Sequence, residues 1–118
     1  MGHRPRNMVD AMSRRLVHVN STGSVIFDGF EGETFVVMLE SSVRASRVRI
    51  KNISPGQLYT VIFRQNHVGG HTFEWPTGLV HNAGTIDTAA QATSVKNFIG
   101  DTGGQLVANI PGTWQPKN

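Results

Sequence analysis

Three histidines, His67, His71 and His81, fall in and just after one glycine-rich stretch, and imidazole is a common zinc or nickel ligand. A metal site there would need a third donor. No acidic residue lies between His67 and His71, and the nearest carboxylate, Glu74, alternates to the face opposite His71. The expectation is therefore no metal and no cofactor, with these histidines, together with Trp114, as candidate intersubunit contacts. Hydrolytic chemistry finds less support. The chain has no Gly-x-Ser-x-Gly elbow, no His-Glu-x-x-His, no phosphate-cradling Gly-x-x-x-x-Gly-Lys and no Gly-x-Gly-x-x-Gly. A carboxylate pair for glycoside hydrolysis could be drawn from Glu31, Glu33, Glu40 and Glu74, but Glu31 and Glu33 flank a turn glycine, a solvated position. No enzyme is expected.

Charge points to binding instead. The net charge is +3 with neutral histidine. Residues 1–20 carry four arginines, Arg4, Arg6, Arg14 and Arg15, against Asp10, whereas later residues carry seven basic against seven acidic side chains. The excess thus sits on an N-terminal arm ahead of a neutral body. Met8, Met12 and Leu16 are spaced by four, which suits a short amphipathic helix formed against a partner. Arg44, Arg47, Arg49 and Lys51 make a second basic set. It is read either as a solvated, edge-guarding face or as a contact with an acidic protein surface. Nucleic acid is not expected, because the stacking aromatics are elsewhere and the neutral body would not steer the chain onto phosphates.

The elements that position these residues read as β throughout. Tyr59, Val61 and Phe63 share one face at period two while Leu58, Thr60 and Ile62 share the other, so both faces of this strand look buried or paired. Gly69-Gly70 predicts a tight hairpin, with His71, Phe73 and Trp75 on the return arm until Pro76 ends it. Further strands are expected at 25–27, 34–39, 46–51, 94–99 and 106–110, with a hairpin turn at Gly100-Asp101-Thr102-Gly103-Gly104 and a long connection over 77–93. No internal repeat or heptad stalk is visible. Length allows one core that folds without staples, and cysteine is absent. No apolar run approaches the roughly 18 residues of a membrane span, and no apolar h-region follows the basic N-terminal residues, so neither a membrane nor a secretory route is expected. The reading is an antiparallel β-sandwich over 21–118 behind an extended arm over 1–20.

Gly56, Tyr59, Gln65-Asn66, Gly69-Gly70-His71, Trp75-Pro76, Gly84, Asp87 and the strand from Thr93 to Phe98 after Ala89-Ala90 together form a pattern over residues 54–110. It resembles a β module that recurs in virion proteins of tailed bacteriophages, in capsid decoration proteins and in fibre domains. The resemblance implies a jelly-roll-like sandwich, commonly a homotrimer, that acts by binding. A compact head with a cationic leader and no stalk favours a head decoration or cement protein. That protein would be assembled in the host cytoplasm and placed on the capsid exterior, where it binds the major capsid protein and stabilises the shell. The capsid-facing elements would be the arm (Arg4, Arg6, Met8, Met12, Arg14, Arg15, Leu16) and the basic strand (Arg44 to Lys51). A tail or head fibre or adaptor subunit is the alternative. A third reading is a carbohydrate-binding β-sandwich with Trp75 or Trp114 as stacking platform.

Overall fold

The computed structural model describes residues 16–108. Arg4, Arg6, Met8, Met12, Arg14, Arg15 and Trp114 lie outside the described residues. Within them the chain is all-β, with eight strands, β1 (Leu16–Asn20), β2 (Val25–Asp28), β3 (Thr34–Leu39), β4 (Val48–Lys51), β5 (Leu58–Gln65), β6 (Val80–His81), β7 (Thr93–Asp101) and β8 (Gln105–Ala108), and two single 3-10 turns. No helix among the described residues is long and apolar enough to cross a membrane.

The strands do not form a jelly roll. β1, β3 and β5 lie side by side and parallel in one sheet, and β2 and β4 lie parallel in another, so the chain alternates between two sheets as it climbs. This is a β-solenoid-like stack. A first coil is β1 plus β2, a second β3 plus β4, and a third starts with β5 and continues to Phe73, which makes an isolated parallel bridge to Val43 of the coil below. β7 then runs back antiparallel to β5 and β8 antiparallel to β7, with short β6 beside β8. Alternation of apolar residues is the same for a strand in either kind of ladder, which is why periodicity led to an antiparallel sandwich.

The predicted hairpin over 57–76 is corrected in the same way. β5 has β3 and β7 as its neighbours, and the residues after Gln65 form a loop, not a return strand. The hairpin expected at 100–104 is present, with Thr102–Gly104 as its turn between β7 and β8. Residues 16–20, assigned from sequence to the arm, form the edge strand β1, and Val19 reaches the core.

Corners between coils are tied by side chains. Ser21 Oγ accepts the Glu40 N–H at 3.3 Å and Ser42 Oγ accepts the Thr72 N–H at 2.8 Å, so a serine at each corner satisfies the backbone of the next coil. The core lies between the sheets. Val19, Phe35, Val37, Leu39, Tyr59, Val61, Phe63 and Phe98 from the larger sheet join Val25, Phe27 and Val48 from the smaller in one cluster. Full burial of each such side chain stabilises by about 1.5–3 kcal/mol before entropy is counted. Phe73 and Trp75, carried by the loop after β5, close the cluster. The Phe73 ring lies 4.8 Å from Phe63, and Trp75 lies 4.7 Å from Phe73 and 5.2 Å from Phe98. Loop geometry is therefore set by aromatic packing, edge-on between Trp75 and Phe63, Phe73 and Phe98.

Candidate functional site

The residues quoted for the phage resemblance have a structural task. Gln65, buried at the end of β5, donates from Nε2 to the carbonyls of His71 (2.7 Å) and Asp87 (3.2 Å), and its Oε1 accepts the His71 N–H at 3.2 Å. Asn66 Oδ1 accepts the N–H groups of Val68 and Gly69, both at 3.0 Å, and lies 3.1 Å from His71 Nε2. Two adjacent amides thus lock the loop that delivers Phe73 and Trp75 into the core. Gly69 is required there. Its φ is +73°, and a Cβ would sit 2.6 Å from the Ala90 nitrogen.

The histidines are dispersed by this arrangement. His71 belongs to the Asn66 lock, His81 Nε2 lies 2.7 Å from Gln105 Oε1 across the β6–β8 pair, and His67 is exposed. Among the described residues no group of three or more histidine, cysteine or acidic side chains could hold a metal ion. Trp75 is half-buried and packs against four phenylalanines, Phe27, Phe63, Phe73 and Phe98, so its ring is engaged by the core.

The four basic residues of the second set do not act alike. Arg47 is half-buried, and its guanidinium donates to the carbonyls of Gly23 (2.8 Å), Ser21 (3.2 Å) and Ser42 (2.8 Å), which fastens two corners together. Arg49 Nη1 turns back to the Ser46 carbonyl at 2.9 Å. Lys51 stands beside Asp28 across the β2–β4 pair. Arg44 is exposed. The Asp28 carboxyl is held below the ordinary carboxylate range, first by the Asn52 amide donating to it at 2.8 Å, then by the Phe30 N–H at 2.9 Å, with Lys51 adding attraction and burial opposing.

Two surfaces stand open among the described residues. The first is the free side of the coil stack. Among the described residues β1 has β3 on one side only, so a row of its backbone groups is open, and shallow clefts of about 300 and 370 Å³ border it. His18 lines both clefts, with Val17, Ile26 and Lys51 in one and Met38 and Glu40 in the other. An open edge of this kind is a template for a further strand.

The second is the outer face of the larger sheet. Register places Leu16, Thr34, Thr60 and Asn97 in one row, His18, Val36, Ile62 and Val95 in the next, and Asn20, Met38, Arg64 and Thr93 in a third, with Leu58, Ile99 and Val107 beyond. Leu58 is 61% exposed, Val95 53%, Leu16 and Met38 45% each, and Ile99 40%. These are the residues that the sequence reading missed as a site. Their signal is the second apolar face of 58–62, expected to be buried or paired; within one chain Leu58 is open while Thr60 and Ile62 are half-buried.

Residues 17–105 fit a family described as "Putative phage tail fibre C-terminal domain". No curated protein and no solved structure matches the chain.

Proposed function

The chain belongs to this phage tail-fibre family, and from that premise we propose that it is a non-catalytic fibre subunit on the tail side of the virion, acting as a homotrimer. The match over residues 17–105 carries the reading, since it spans nearly all of the described strands. It backs the fibre alternative over the shell-cement role expected from the compact head and cationic leader. The architecture supports a mechanical part as well. Parallel strands stacked in successive coils tie every level of the module to the next through backbone ladders, and the corner serines and Arg47 add side-chain ties between coils. A subunit of that build transmits load along the stack.

Electron cryo-microscopy of particles carrying a tagged copy tests the location. Label at the tail is expected. Label spread over the shell would overturn the fibre assignment and return the cement reading.

A further inference from the structure

The geometry points to the outer face of the larger sheet as the surface on which three copies of this chain close around a common axis, with Arg64 of one copy against Asp101 of the next. The inference deepens the homotrimer part of the proposed function and rests on it. Five large apolar side chains, Leu16, Met38, Leu58, Val95 and Ile99, stand 40% or more exposed on this one face, and the register links them across four strands through half-buried Ile62 and buried Val36. Exposed apolar side chains gathered on one sheet face mark an interface. The polar positions in these rows are Asn20, Thr34, Thr60, Thr93 and Asn97, with His18 and Arg64 as the ionisable ones, and Thr60 Oγ1 donates to Asn97 Oδ1 at 2.9 Å.

The charges say what covers the face. Arg64 is the last outward-facing residue of β5, at one side edge, and Asp101 ends β7 at the other. Arg64 pairs in register with Thr93, eight residues before Asp101 on the neighbouring strand, so the two lie about 27 Å apart across the face and one strand apart along the stack. Both are exposed, and neither is ion-paired among the described residues. A rotation about an axis parallel to the stack brings the right edge of one copy to the left edge of the next. Opposite charges at opposite edges therefore match head to tail, and the three copies of the proposed homotrimer would close such a ring. A foreign partner would not call for that self-complementarity.

The chain has no cysteine, which makes a crosslinking test clean. In the full-length Arg64→Cys/Asp101→Cys protein, mild oxidation should give a covalent trimer on a non-reducing gel, and each single variant should stay uncrosslinked. A bridge within one copy is barred, because Cα atoms more than about 7 Å apart cannot be joined. Light scattering of the wild type keeps the two levels apart. A wild-type trimer in which the double variant does not crosslink overturns this face while leaving the homotrimer intact, and a covalent dimer overturns the three-fold arrangement. A monomeric wild type overturns both, with the face then covered by the chain's own flanking residues or by another protein. Independently, Leu58→Asp/Ile99→Asp should weaken trimer association by about tenfold or more with an unchanged circular dichroism spectrum, whereas Ile26→Asp, exposed on β2 of the smaller sheet, should not.

Discussion

Arg47 Nη1 donates to the Gly23 carbonyl at 2.8 Å, so a side chain of the second coil holds the corner of the first. The same guanidinium also binds the Ser21 and Ser42 carbonyls. Three acceptors in different directions suit a planar fork and not a single ammonium. Arg47→Ala should lower stability by about 1–2 kcal/mol, and Arg47→Lys should recover less than half of it. Urea unfolding checks this, and wild-type stability in the Ala variant would show that the corner needs no tie.

The Gln65 amide is fully engaged in a buried position. Gln65→Leu keeps the volume but leaves the His71 N–H and two carbonyls without partners, at a cost of about 2–3 kcal/mol. Because the loop carries Trp75, fluorescence should report loosening before global unfolding; a single coincident transition at the wild-type midpoint would refute the lock.

Gly69 and Gly70 have nearly the same positive φ but different surroundings. A Cβ on Gly69 meets the Ala90 backbone at 2.6–2.8 Å, while one on Gly70 meets nothing within 4 Å. Gly70→Ala should cost about 1 kcal/mol from backbone strain alone, and Gly69→Ala clearly more, about 3 kcal/mol. Thermal melts of the two variants side by side decide the point, with equal losses ruling out close packing as the reason for Gly69.

Asp28 has its folded pKa depressed by Asn52, the Phe30 N–H and Lys51. Its charged form is favoured by folding, so the stabilisation is present above the unfolded value of about 3.9 and is lost as pH falls through the lower folded value. Asp28→Asn keeps an acceptor oxygen and removes the titration. Its melting temperature should fall less steeply than wild type between pH 5 and 2; parallel curves would remove Asp28 from the acid response.

Much of the fold was legible strand by strand. Thr34–Leu39 was read with its observed bounds, Val48 and Ile50 face inward as alternation required, and the glycine-rich turn before Gln105 closes an antiparallel pair. Legibility stopped where two distant segments must choose one another. Gly69-Gly70 carries the composition of a hairpin turn, yet its positive φ angles serve a loop pressed against Ala90. The corner serines Ser21 and Ser42 repeat in space and not in sequence, since the coils differ in length and a repeat of function needs no repeat of spacing.

From the order of residue types alone come the all-β character, a cysteine-free core of phenylalanine and valine, and the apolar second face at Leu58 and Ile62, because these follow from local alternation and composition. The parallel coil, the lock formed by Gln65 and Asn66, the internal use of Arg47 and the placing of Arg64 and Asp101 at opposite edges of one sheet were decided by tertiary structure. Each depends on which strand lies beside which, and a period of two residues is the same whatever the neighbour's direction.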